Sequence, residues 1–284
     1  MRAILLLLAL AGCRADAPEP PSPATPAALP PVSTVRPFDP PPDSMARWVH
    51  GRPFSADSFE TIRSSIDTSY SRTVAILPHV IPSPDLEYPA RDGQRWQGLF
   101  ETPTGLEIRS FTARVREVEA GPLEPPGGPY SGRLLLTPWM VETDDPRHPI
   151  SAAHLFFRRP GRPFADGPVA TVFVGYWPLY QGKLPFSFGG ESYDLTFLEG
   201  PENKNGWRWP ILTLRSQDGR QYLPSAGMDN YLLWAGDLDR DGRLDLLTDE
   251  GGHYAVGEPT LYLSSEARDG ELVRRVAWTS TCDC

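Results

Sequence analysis

From Arg72 onward the chain alternates short runs of β-branched and aromatic residues with clusters of Gly, Pro, Asn and Asp, a pattern suited to an antiparallel meander. Helical periodicity is nearly absent. The runs predict strands over 73–77, 96–101, 106–118, 132–137, 154–158, 169–176, 193–199, 207–214, 221–223, 231–235, 244–248, 260–264 and 272–278. One helix is predicted over 55–69, where Asp57 or Ser58 can cap the start and Phe59, Ile62 and Ile66 share a face. The expected fold class is therefore mainly β: antiparallel meander sheets forming a sandwich, a barrel or a partial propeller-like array, with one short helix near the N-terminus of the folded part.

The clearest alternation runs from Leu106 to Val118, with Leu106, Ile108, Phe111, Ala113 and Val115 separated by charged residues. Its phase slips once, between Ile108 and Phe111. A β-bulge and a turn dividing two strands are both open explanations. Segments 119–130 and 144–150, rich in Pro and Gly or in adjacent charges, read as long surface loops. No internal repeat of about 20 to 50 residues is visible.

The N-terminal segment is of another kind. Arg2 is followed by an apolar run from Ala3 to Ala11 with five leucines, too short to span a hydrocarbon core of roughly 30 Å permanently. It reads as a signal peptide over 1–12. The sequence Leu10-Ala11-Gly12-Cys13 resembles the lipobox of bacterial lipoproteins, which implies lipidation of Cys13, anchorage to a membrane and, because Arg14 follows the cysteine, an outer-membrane destination. The alternative is an ordinary signal peptide with a chance cysteine at its cleavage site. Residues 14–42 hold eleven prolines and almost no large apolar side chains, so they cannot bury enough surface to offset chain entropy. With Cys13 they form a tether over 13–42, and 43–284 is expected to be a single β-rich domain.

Charge narrows the partners. The formal net charge is −9, and Lys183 and Lys204 are the only lysines. Arginines are scattered and no basic run occurs, so nucleic acid is an unfavourable partner. Besides Cys13 the chain holds Cys282 and Cys284. A small terminal disulfide between these two is the leading reading, since two thiols alone fall short of a zinc site.

The densest chemistry lies at 237–245. Asp237, Asp239, Asp241 and Asp245 fall at loop positions one, three, five and nine, Gly242 stands at six, and Arg243 at seven offers its backbone carbonyl. That is the spacing of a loop coiling around calcium, which takes six to eight oxygens. Magnesium fits less well, because it retains water and demands near-octahedral geometry. The loop departs from an EF-hand at position twelve, where Thr248 stands in place of Glu, and its flanks read as strands. The stretch from Gly236 to Leu247 resembles the Asp-rich calcium loops of FG-GAP and VCBS repeats. That resemblance implies a calcium ion between two strands. Family members commonly carry several copies in a β-propeller, whereas this chain carries one. The wider stretch from Leu233 to Ser265 also resembles exported bacterial proteins of uncharacterised role, a likeness that implies no reaction. A clasp pinning two strands, a calcium that holds a ligand, and a turn enriched in Asp by chance are the three readings.

The common signatures of metalloproteases, esterases and P-loop enzymes are absent, and no nucleotide motif occurs. Paired carboxylates for glycoside hydrolysis need not be close in sequence, so Asp144, Asp145, Glu191 and Asp194 are candidates, with solvated turn charges as the plainer reading. His50, His79, His148, His154 and His253 are too dispersed to suggest a metal cluster. Trp207 and Trp209, and Trp177 near Tyr176 and Tyr180, could stack on sugars, although core packing is the usual use of aromatics in a β domain. The expected function is a membrane-anchored envelope lipoprotein with a structural calcium, acting as a binding or structural module toward a glycan or envelope protein. The alternative is a calcium-stabilised hydrolase of polysaccharide or another envelope polymer.

Overall fold

The computed structural model describes residues 56–69, 71–77, 90–117, 139–143, 153–178, 183–202, 208–224, 230–251 and 256–282. The lipobox, the tether, the expected strand at 132–137, both long loops, Cys284, Trp207, Tyr180, Asp144, Asp145 and four of the five histidines lie outside them. Helix α1 (Ala56–Ser65) is the one helix among the described residues, shorter than predicted.

All strand pairs in the three large sheets are antiparallel. The first sheet orders β1 (Ala75–Leu77), β5 (Ala153–Arg158), β2 (Arg95–Thr102), β3 (Gly105–Glu117) and β4 (Trp139–Thr143), with β6 (Gly167–Pro168) also against β3. The second orders β11 (Arg220–Leu223), β10 (Arg208–Arg215), β9 (Glu191–Glu202) and β8 (Lys183–Phe188). The third orders β16 (Arg274–Trp278), β15 (Pro259–Leu263), β13 (Asp245–Asp249), β12 (Tyr231–Asp237) and β7 (Ala170–Pro178). A further pair joins β14 (Val256–Gly257) to β17 (Thr281–Cys282). The described strands form no closed barrel.

Burial shows how these sheets share cores. Leu99, Ile108, Leu155 and Phe157 of the first sheet pack with Trp234, Leu247, Leu261 and Val276 of the third. The other face of the third sheet, through Leu232, Ala235, Leu246 and Tyr262, packs on Leu195, Leu212, Leu214 and Leu223 of the second. A smaller cluster, including Trp96, Phe100, Phe111 and Phe156, lies on the opposite face of the first sheet. The third sheet is thus the middle layer, buried on both faces.

That arrangement explains the phase slip in β3. Neither a bulge nor a dividing turn is present: β2 and β3 pair in unbroken register from Arg95↔Thr112 to Thr102↔Gly105. Leu106 and Ile108 point to the core shared with the third sheet, while Phe111 and Ala113 point to the opposite cluster. Because side chains alternate with a period of two, one straight strand that changes its buried face must show a slip in hydrophobic phase.

Strand β8 carries an alternation of Leu184, Phe186 and Phe188 that the sequence reading passes over. Pro185 sits within it, which is tolerated because β8 is an edge strand. Strand β4 was likewise not anticipated, and β16 begins two residues later than expected.

Candidate metal centre

The Asp-rich loop joins β12 to β13, whose pairing closes with Gly236 opposite Asp245. Two leucines anchor it. Leu238 enters the core between the first and third sheets, and Leu244 enters the core between the second and third, each 1% exposed. Between them the chain must reverse within a few residues. Arg240 and Gly242 do this with φ of 61° and 82°, the left-handed region that glycine enters freely and other residues seldom.

Asp237, Asp239 and Asp245 converge, each offering a carboxylate oxygen within 4.8 Å of the others. Asp237 is held by the loop backbone: its two oxygens accept from the N–H groups of Asp241 at 3.0 Å and Gly242 at 2.9 Å. Asp245 is fully buried and accepts from Leu238 N–H and Ser264 N–H, both at 2.8 Å. Asp239 Oδ2 accepts the Ser265 hydroxyl and lies 3.8 Å from Arg159 Nη1. Its Oδ1 is buried and has no hydrogen-bond partner, in a side chain only 7% exposed. A buried carboxylate oxygen without a donor is costly, and a cation at this position could offset that cost.

Asp241, the fourth carboxylate of the spacing argument, stands outside this trio. It accepts from Arg243 N–H at 2.8 Å and Nε at 3.0 Å, and both its oxygens lie 3.1 Å from Ser264 Oγ. Ser264 Oγ is also 3.0 Å from Asp245 Oδ1. One hydroxyl proton therefore faces three carboxylate oxygens. The Arg243 guanidinium spans from Asp241 to the Ser264 carbonyl at 2.7 Å, fastening the loop to the end of β15.

Electrostatics disfavours the trio as three bare anions. Two unit charges about 4 Å apart near a protein surface repel by on the order of 4 kcal/mol. Burial, with the Asp239 charge adding to it, pushes the Asp245 carboxyl well above its ordinary range. Burial also raises Asp237, against the lowering effect of the Gly242 N–H. Protons or a cation must therefore relieve the cluster. Its donors are carboxylate oxygens without sulfur or imidazole, so the residues present fit a hard metal ion.

The sequence reading missed Ser264, Ser265 and Arg159, which come from other parts of the chain. A signal for Ser264 exists in strand register: Leu246 pairs with Tyr262, so two residues further Ser264 reaches the start of β13. Arg159 follows β5 and is joined through Nη2 to Glu266 at 2.5 Å. Nothing local to the Asp loop indicates it.

Two of the four candidate carboxylates, Glu191 and Asp194, lie among the described residues, each with a local partner. Glu191 accepts from Tyr193 Oη at 2.8 Å, and Asp194 pairs with Lys183 at 2.7 Å. His154 lies in β5, and Cys282 in β17 opposite Val256. Trp96 and Trp234 are core residues, each 1% exposed, and Trp177 packs half-buried on the core. Tyr176 is exposed and meets Tyr231 edge to face. Comparisons with protein-family models, with curated proteins and with solved structures gave no match to this chain.

Proposed function

We propose that this chain is a calcium-clasped lipoprotein of the bacterial envelope, working as a binding or structural module. The observation that carries the calcium reading is the convergence of Asp237, Asp239 and Asp245 with a buried Asp239 oxygen that has no donor. Calcium is favoured because it accepts irregular sets of carboxylate and carbonyl oxygens. Asp237, Asp239 and Asp245 would hold it, with Asp241 and the Arg243 backbone carbonyl as further oxygens of the same loop. When bound, the ion supplies charge neutralisation. The chain's own residues do the ordering: Leu238 and Leu244 pin the loop to two cores, and Ser264 ties it to β15.

The location rests on Leu10-Ala11-Gly12-Cys13, with lipid on Cys13 as the membrane contact and residues 13–42 as spacer from an outer membrane. The partner class is a glycan or an envelope protein.

The ion is tested by melting the purified full-length protein in calcium and in chelator, because a ligand bound by the folded state raises its stability. A calcium-dependent rise in Tm that magnesium does not reproduce is expected. Superimposable melts, with no calcium in the purified protein, would contradict the clasp. The address is tested separately by metabolic labelling with palmitate, which Cys13→Ser should abolish.

A further inference from the structure

Arg159 brings a positive charge to the edge of the Asp cluster. Its guanidinium reaches from Asp239 Oδ2, 3.8 Å from Nη1, to Glu266 Oε1, 2.5 Å from Nη2. The Arg159 and Asp239 side chains are each only 7% exposed, so solvent screens this contact weakly. Arg240 and Arg243, which belong to the Asp loop itself, direct their guanidiniums to other acceptors. Arg240 Nη2 donates to the Asp166 carbonyl at 3.0 Å, and Arg243 holds Asp241 and the Ser264 carbonyl.

Asp239 divides its two oxygens. Oδ2 accepts the Ser265 hydroxyl and faces Arg159, whereas Oδ1 is buried without a hydrogen-bond partner. The oxygen open to an ion and the oxygen beside the guanidinium thus belong to one carboxylate. A cation at Oδ1 is attracted by the Asp charges and repelled by Arg159.

The surroundings keep that repulsion in place. The Arg159 guanidinium lies 5.2 Å from the centroid of the Phe164 ring. Phe164 is clamped to the first sheet by the buried Gln97, whose Oε1 accepts from Phe164 N–H at 2.9 Å and whose Nε2 donates to Phe164 O at 2.8 Å. An arginine on an open surface rotates into water when a cation arrives. One seated on a fixed ring and tied to Glu266 has no such low-cost route.

We propose that Arg159, held by Glu266, is a built-in counter-cation that sets the calcium affinity of the Asp cluster below what its three carboxylates alone would give. This regulation rests on the calcium reading above. The affinity of calcium loops follows the charge that their ligands present, and here a fixed guanidinium from outside the loop subtracts from that charge. A purely structural role has the opposite consequence: an arginine that only braced Asp239 would weaken binding when removed.

The test is calorimetric titration of the metal-stripped full-length protein with calcium, at one ionic strength, in wild type, Arg159→Gln, Arg159→Lys and Glu266→Gln. Arg159→Gln should bind about tenfold more tightly, because it removes the opposing charge and frees the Glu266 carboxylate. Glu266→Gln should bind several fold more weakly, because the guanidinium then lacks its counter-charge. Arg159→Lys keeps the charge and should fall nearer to wild type than Arg159→Gln does. Unchanged or weakened affinity in folded Arg159→Gln, with calcium bound by the wild type, would overturn the inference and leave the calcium reading standing. Failure of the wild type and every variant to bind would remove the calcium reading and this inference with it. Binding by Arg159→Gln and not by the wild type would support Arg159 as the counter-cation while contradicting a loaded wild-type site. Should Arg159→Gln fail to fold, an affinity in Glu266→Gln equal to or tighter than wild type would overturn the proposal.

Discussion

Ser264 donates its backbone N–H to Asp245 Oδ1 at 2.8 Å and places its hydroxyl 3.0 Å from the same oxygen, joining the start of β13 to the end of β15. The other Asp245 oxygen accepts from Leu238 N–H. One buried carboxylate thus organises both ends of the Asp loop and the strand beside it, which gives it separable structural and ion-binding roles.

Asp245→Ala removes both acceptors and leaves two buried N–H groups unpaired, a loss of about 2 to 5 kcal/mol in calcium or in chelator. Asp245→Asn keeps one acceptor oxygen and removes a disfavoured buried charge. In chelator it should melt nearer to wild type than the alanine variant does. In calcium its Tm should not rise as the wild type's does. A wild-type calcium response in Asp245→Asn would remove this residue from the ligand set.

Gly236 tests the entry to the loop. A Cβ there would collide with the Ala170 carbonyl oxygen and approach Trp234 Cζ2 to 2.5 Å. The obstacles are a neighbouring strand's backbone and a fully buried ring, neither of which can swing aside. Gly236→Ala should cost about 3 kcal/mol in urea denaturation, and calcium affinity should weaken because β12 delivers Asp237. Wild-type stability in this variant would show that β7 and β12 do not approach so closely.

The Asp spacing and the strands around it were legible because both are local patterns. The convergence itself was only partly legible: four carboxylates looked equivalent in sequence, but Arg243 and Ser264 draw Asp241 aside. Ser264 and Arg159 reach the site by strand pairing and sheet packing, which local spacing does not encode. The slip in β3 was visible, but its cause needed the two faces of the first sheet to be known. Pro185 concealed β8 because a proline argues against a strand unless the strand is at an edge.

Glu250 provides a pH test away from the ion loop. It is 2% exposed and accepts from Tyr262 Oη at 2.5 Å and Thr248 Oγ1 at 3.0 Å. Burial pushes its carboxyl up from 4.5 to about 7, so the fold prefers the protonated form. The associated stability is fully present below the unfolded value and is lost as pH rises through the folded one. Urea midpoints in calcium should fall between about pH 5 and about pH 8, and Glu250→Gln, which cannot ionise, should flatten that decline. Parallel profiles for the two proteins would show that Glu250 ionises without strain.

The most direct measurement is calorimetric titration of the metal-stripped full-length protein with calcium, beside Asp239→Ala and a magnesium control. Binding of one calcium per chain, lost in folded Asp239→Ala and much weaker for magnesium, is expected from the convergence of Asp237, Asp239 and Asp245. No calcium binding by the folded wild type, or equal binding by folded Asp239→Ala, would contradict it.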